Sequence, residues 1–278
     1  MVRLVDSHNH LFVDEFTKSR QALASAVELA VDAGVCQMLI CAGDWRSVLR
    51  THTVAALINA GYAAGIHPLS LNPKTYCTEH NLIREFVERH LATSTLSAIG
   101  EIGLDGTITD KIPMEFQEKV FSDQLKLARD YQLPVSVHAR GAIDLVAKHI
   151  RRIGICGGAI HAFNGSLEQA KIFINLGLKL GYGGACTYSG SCRIRKLLSA
   201  LPAEVLVLET DCPDMPSSIR RAENPDDAHS MPRDIRMYAE VAAELRGVSL
   251  EEIAEQTTQN AFDAFPKLKT LGAVKKVP

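Results

Sequence analysis

The chain has 278 residues, 46% of them hydrophobic, and a formal net charge of −2. That length suits a single α/β barrel, for which about 250 residues is usual. No run approaches the ~20 apolar residues of a membrane-spanning helix, and the near-neutral charge without a long Lys/Arg run gives no support for a dedicated duplex-binding face.

In chain order, short apolar or β-branched runs predict strands at Arg3–Asp6, Val35–Cys41, Gly61–Ile66, Leu96–Glu101, Pro134–His138, Gly157–His161, Leu178–Tyr182 and Val205–Glu209. Between them, helical spacing predicts Ser19–Asp32, Glu79–His90, Glu115–Tyr131, Gly141–Ile150 and Ser166–Leu176. Two more helices, Arg233–Leu245 and Ser249–Phe265, close the chain. In Glu115–Tyr131, Phe116, Val120, Phe121, Leu125, Leu127 and Ala128 form one apolar stripe, and Glu118, Lys119, Asp123, Lys126 and Arg129 lie mostly off it. Pro134 then prevents the helix from continuing. Ser249 with Glu252 three residues on reads as a capping box.

Alternating strands and helices imply a parallel sheet with helical crossovers. The eight strands favour a closed (β/α)8 TIM barrel, one domain over residues 1–278, above an open doubly wound sheet. Cys212–Pro232, rich in Pro, Asp, Ser and Arg, is expected to be a long loop after the eighth strand, at the substrate rim. The seven cysteines are odd in number and lack CxxC spacing, so free thiols are expected, most of them buried as small apolar residues. A reducing, cytoplasmic compartment follows. The start, Met1 to Asp6, has no basic stretch leading into an apolar one, and no signal peptide is expected.

Five signals carry chemistry. In Asp6-Ser7-His8-Asn9-His10, His8 and His10 share one face of a strand end, and Asp6 has the same parity. Two imidazoles so placed suit a divalent metal, with Asp6 free to orient one of them; the plain alternative is a polar strand end. Glu101 ends an apolar strand between Gly100 and Gly103, which allow close approach of backbone or ligand. His138 and His161 each end an apolar strand, and the acidic pair Glu209 and Asp211 follows the last one. Taken singly, a lone His or a charged loop start is ordinary. Taken together, His8, His10, His67, His138, His161, Glu101 and Asp211 all fall at predicted strand ends, which a parallel barrel gathers on one face. Carboxylates and imidazoles at one spot imply one or two divalent cations serving a hydrolytic reaction. His52, His80, His90, His149 and His229 lie in helices or loops and are expected at the surface.

The motif set resembles the TatD family of metal-dependent deoxyribonucleases, a branch of the amidohydrolase superfamily. It comprises Asp6-Ser7-His8-Asn9-His10-Leu11, Gly65-Ile66-His67-Pro68, Gly100-Glu101-Ile102-Gly103-Leu104-Asp105, Pro134-Val135-Ser136-Val137-His138, His161-Ala162-Phe163-Asn164-Gly165 and Glu209-Thr210-Asp211-Cys212-Pro213, and covers Asp6 to about Phe265. The continuation Asp211-Cys212-Pro213-Asp214-Met215-Pro216 is similar to a subgroup of uncharacterised hydrolases. Carried over position by position, the resemblance implies one metal held by His8, His10, Glu101 and Asp211, and a second held by Glu101, His138 and His161. Glu101 at the end of the fourth strand, with no nearby Lys, separates the chain from relatives that use a carboxylated lysine there.

The expected chemistry is attack of water on phosphorus or on a carbonyl, with Asp211 and Glu101 as catalytic carboxylates and Asp211 as general base. His67 and Arg140 are expected to contact substrate. Asp105 is placed with them, as a substrate contact or as a carboxylate supporting a ligand. The resemblance implies a phosphodiesterase acting on DNA ends, a 3′–5′ exodeoxyribonuclease. The competing readings are a hydrolase of another ester, such as an aminoacyl-tRNA ester or a small lactone, and a non-catalytic metal-binding barrel. A rim of Arg140, Arg193, Arg195 and Arg220, with Arg221 beside it, would favour a polyanion, and a deep apolar pocket a small substrate. Zn²⁺, Mn²⁺, Mg²⁺ and Ni²⁺ all suit such a mixed ligand set.

Overall fold

The computed structural model describes residues 2–92 and 94–277. Eight strands are present: β1 (Leu4–Asn9), β2 (Val35–Cys41), β3 (Gly61–Ala64), β4 (Leu96–Asp105), β5 (Val135–Arg140), β6 (Gly158–Ile160), β7 (Lys179–Tyr182) and β8 (Leu206–Leu208). They form one sheet in sequential order, and every paired neighbour is parallel. With helices between the strands, this is the expected (β/α)8 barrel. The three strands that carry polar motifs, β1, β4 and β5, run on to Asn9, Asp105 and Arg140. Their polar ends stay in the ladder because the backbone pairs on to them, Gly103, Leu104 and Asp105 with His138, Ala139 and Arg140, and Asn9 with Ile40.

The parallel strands are covered on both sides, which explains their almost unbroken burial. Outside the sheet lies the main core, shared with the helices. Inside lies a smaller one, built from Val5, Leu39, Cys41, Ala63, Ala98, Ala159 and Val207 and sealed by Ala261, Ala264, Phe265 and Leu268. Those last four come from helices Leu250–Ala264 and Pro266–Leu271 and the residue between them. Leu268 packs so closely on Gly61, at the start of β3, that a methyl group there would lie 2.1 Å from its Cδ2. The C-terminal helices therefore plug the N-terminal end of the barrel and leave the opposite end open for chemistry.

The seam between β1 and β8 is closed largely by side chains. Ser7 Oγ donates to the Leu208 carbonyl at 2.9 Å. Asp6 accepts from the Thr210 backbone N–H at 2.9 Å and from Thr210 Oγ1 at 2.6 Å. Beyond it, Asp211 N–H donates to the His8 carbonyl and His10 N–H to that of Cys212, both at 2.9 Å. The expectation that Asp6 orients an imidazole is thus corrected. Its parity is right, but its carboxylate reaches Thr210 and Asn9. Burial pushes the Asp6 carboxyl up to about 7 despite the Thr210 bonds. Asp6→Ala leaves the buried Thr210 N–H and hydroxyl without this acceptor, so it is expected to cost about 2–3 kcal/mol, read as a lower midpoint in urea unfolding.

Helices Trp45–Ile58 and Cys192–Ala200 complete the alternation after β2 and β7, where the sequence reading set no bounds. Asp44 caps the first with Ser47 in the reciprocal position, where Glu or Gln is the familiar signal. The Ser249–Glu252 box is present as expected. The loop after β8 contains a short helix, Ser218–Glu223. Among the described residues, no helix is long and apolar enough to cross a membrane. All seven cysteines are free, but burial holds for only Cys41, Cys186 and Cys212, whereas Cys77, Cys156 and Cys192 are exposed. Of the histidines expected at the surface, His229 is exposed and His149 is buried. The His149 ring joins two barrel helices, with Ser122 Oγ at 2.8 Å from Nδ1 and Glu118 Oε2 at 2.6 Å from Nε2.

Candidate metal centre

At the open end of the barrel, six residues from five strand ends meet around the Glu101 carboxylate. Glu101 Oε2 lies 3.3 Å from His8 Nε2 and 3.4 Å from His10 Nε2. Its other oxygen, Oε1, lies 3.2 Å from His138 Nδ1 and 3.0 Å from His161 Nε2. Asp211 Oδ1 completes the first half, 3.5 Å from His8 Nε2 and 3.2 Å from His10 Nε2. One carboxylate thus faces two clusters of imidazoles, one with each oxygen.

The backbone explains this convergence. On β4, Gly103 pairs with His138 on β5. A Cβ at Gly103, whose φ is +154°, would lie 2.0 Å from the His138 carbonyl oxygen. Only glycine lets the two strands approach so closely there, as expected from the Gly100-Glu101-Ile102-Gly103 run. Just past β8, Asp211 has φ 54°, a left-handed conformation uncommon for a residue with a side chain. It is held there by its N–H bond to His8.

Three of the four rings around Glu101, those of His8, His10 and His138, have a second contact that leaves one nitrogen for the centre. His10 Nδ1 donates to the Cys41 carbonyl at 2.8 Å, so Nε2 points inward. His8 Nδ1 meets Ser136 Oγ at 2.8 Å. His138 Nε2 donates to Asp105 Oδ2 at 3.1 Å, which leaves Nδ1 facing Glu101. Such contacts, to a carbonyl, a hydroxyl and a carboxylate, fix the rings of metal-binding histidines. His8 Nε2 is buried, faces two carboxylates and has no hydrogen-bond partner among the described residues. A ring nitrogen orphaned between two carboxylates fits a divalent cation. The ligand atoms agree. His8, His10 and Asp211 lie within 4.8 Å of one another, as do His8, Glu101 and His161, and His67, Glu101 and His138.

Electrostatics point the same way. Burial raises the cost of the Glu101 charge, yet the His67, His161 and His8 rings hold its carboxyl well below the usual range. Burial likewise opposes the charge on His10, but the bond and charge of Asp211, with Glu101, push it up to about 9. Burial and the neighbouring His161 charge push His8 down. The two buried carboxylates thus favour protons on His10, His138 and His161, a balance that divalent cations would take over.

The expected substrate contacts divide. His67 lines the cleft, with Nε2 3.2 Å from Glu101 Oε1. Its Nδ1 accepts the Leu69 N–H at 3.1 Å, so the neutral ring carries its hydrogen on Nε2 and acts as a donor. Arg140 lines the cleft and is exposed. Asp105 is fully buried behind His138, bonded to Thr107 and to the His138 ring, which is the second of the two places expected for it. Of the arginine rim, Arg193 lines the cleft and is held by Asn164 Oδ1 at 2.8 Å. Arg195 bonds the Cys186 carbonyl and Arg220 pairs with Asp234, so neither is available. Sequence reasoning gave no role to Ser136 or Glu209. Strand parity would have found Ser136, which lies two residues before His138 on the same face.

The model of the TatD-related DNase family matches residues 5–266. The uncharacterized metal-dependent hydrolase YjjV of Escherichia coli K12 is 34% identical over 267 residues, 95% of this chain and 98% of that one. The human protein named deoxyribonuclease TATDN3 is 30% identical, with 97% of each chain covered. The crystal structure of YjjV superimposes with a TM-score of 0.84 at 31% identity, over 95% of this chain and 98% of that one.

Proposed function

The chain belongs to the family of TatD-related DNases and is a metal-dependent hydrolase, and from that premise we propose that it is a phosphodiesterase that removes nucleotides from the 3′ end of DNA. The observation that carries this reading is Arg140. It is an exposed cation with no ion pair or side-chain hydrogen bond among the described residues. It lines a cleft of about 1060 Å³ that also holds Glu101, His138 and Asp211. A guanidinium left free beside the reacting centre is suited to a phosphate. A small lactone needs neither that charge nor a cleft at the upper end of the small-molecule range, about 1,000 Å³. The human relative's name, deoxyribonuclease, supports the same substrate class.

His8, His10, Glu101 and Asp211 would hold one divalent ion, and Glu101, His138 and His161 a second. The chemistry such ions supply when bound is a lowered pKa for water and charge stabilisation on the attacking and leaving oxygens. The protein's own groups do the rest. Asp211 takes the proton of the attacking water on its carboxylate, which His10 and the other rings keep ionised against the opposing effect of burial. His67 donates from Nε2 to a phosphate oxygen, Arg140 holds the phosphate from the rim, and Asp105 keeps the His138 ring turned toward Glu101.

A substrate panel tests this reading. Bis(p-nitrophenyl) phosphate and short oligodeoxynucleotides are expected to turn over, at least about 100-fold faster than a lactone or an aminoacyl ester. The reverse order would sink the phosphodiester reading and leave the metal-dependent hydrolase in place. Arg140→Ala is expected to raise KM for oligonucleotides about 10-fold with little change in kcat, and to lower the slope of log KM against log salt by about 1. Equal loss of kcat would instead put Arg140 on the reacting phosphate.

A further inference from the structure

Glu209 is buried almost completely, beside the centre but outside the six residues that meet around Glu101. Its position is built by its neighbours. The Ala162 N–H donates to Glu209 Oε1 at 2.5 Å. On β7, a Cβ at Gly181 would lie 2.1 Å from Glu209 Oε2, so the missing side chain at Gly181 makes room for the carboxyl group. The Glu209 N–H is tied to the Tyr182 carbonyl at 3.2 Å. The ring that faces this carboxyl group, lodged against β6 and β7, is that of His161.

His161 shows the matching gap. Its Nε2 faces Glu101 Oε1 at 3.0 Å, and its Nδ1 lies 3.7 Å from Glu209 Oε1. Both His161 Nδ1 and Glu209 Oε2 are buried without a hydrogen-bond partner among the described residues. The 3.7 Å separation is slightly too long for a hydrogen bond. The other three rings each have such a second contact, to Cys41, Ser136 or Asp105.

We propose that Glu209 is the positioning residue of His161, accepting its Nδ1–H when Nε2 turns to a divalent cation. Glu209 thereby fixes the tautomer of His161 and adds negative charge behind that half of the centre. It touches neither substrate nor the His8, His10 and Asp211 group. The inference rests on the metal-centre reading but not on the choice of phosphodiester.

The test is binding of Zn²⁺ alone, by competition with a chelating dye, read beside the ring nitrogens of histidine in long-range ¹H–¹⁵N spectra. In the Zn²⁺-loaded wild-type protein, the His161 hydrogen is expected on Nδ1. Glu209→Gln, which keeps the shape, is expected to weaken one Zn²⁺ equivalent about 10-fold, and Glu209→Leu about 100-fold. Both should shift the His161 ring signals and leave those of His10 in place. Unchanged Zn²⁺ affinity in a folded Glu209→Gln variant, or a His161 hydrogen on Nε2 in the wild type, overturns the proposal. The second readout needs no variant to fold. Failure of the wild-type chain to take up Zn²⁺ would overturn the metal centre itself, and this inference with it.

Discussion

Glu101→Ala is expected to abolish catalysis and metal uptake together. Loss of a side chain that only supports a metal ligand costs about 10–100-fold in affinity or activity. Glu101 faces both imidazole clusters directly, so its removal should cost more than about 100-fold in each. It also leaves the His8, His10, His138 and His161 rings without the carboxylate that they share. The fold should survive, because the Glu101 backbone N–H is bonded to the Ala42 carbonyl and not through its side chain. Metal analysis of the purified variant, beside its turnover, checks this. Full metal content with lost turnover would make Glu101 a purely catalytic group and not a ligand.

The second large effect is expected at a residue with no side chain. In Gly103→Ala the new methyl group would sit 2.0 Å from the His138 carbonyl oxygen, on a backbone with φ +154°. The β4–β5 ladder has to open there, which displaces His138 and with it the ring facing Glu101 Oε1. Overpacking and an unfavourable φ each cost about 1–3 kcal/mol, so about 3 kcal/mol in total is expected. For a chain of this size that lowers Tm by roughly 5–10 °C. Gly190 is the control, since a Cβ there meets nothing within 4 Å. Gly190→Ala should melt within about 1–2 °C of the wild type. Equal melting of the two variants would remove the steric account of the Gly100–Gly103 run.

Much of this architecture was legible because both repeating patterns are strong. Apolar runs such as Val35–Cys41 alternate with helical stripes such as that of Met114–Asp130. The count of eight then favours a barrel above an open sheet, and the sequential strand order agrees. The strand ends were harder to place. His8, Asp105 and Arg140 look like loop residues in a window of sequence, because nothing local shows that the neighbouring strand pairs with them. The bounds of helix Cys192–Ala200 were not legible because Arg193, Arg195 and Lys196 interrupt a short apolar pattern. In the site, the residue types at strand ends were enough to collect the six that converge. The supporting contacts were not legible. Glu209 against His161, Asp105 against His138 and Ser136 against His8 join residues of different strands, and their distances depend on register. For the same reason Arg195 and Arg220 read as rim charges, although Cys186 and Asp234 bind them elsewhere.

The central claim is that the Glu101-centred cluster hydrolyses DNA from its 3′ end with the help of divalent metal. The most direct test is digestion of 3′-labelled and 5′-labelled single-stranded DNA by the purified protein, with Mg²⁺, with Mn²⁺ and with chelator, and with Glu101→Ala alongside. The account predicts early release of the 3′ label as mononucleotide and stepwise shortening of the 5′-labelled strand, both lost with chelator and in the variant. A folded, metal-loaded protein that leaves both strands intact, or that still digests them with chelator present, would contradict it.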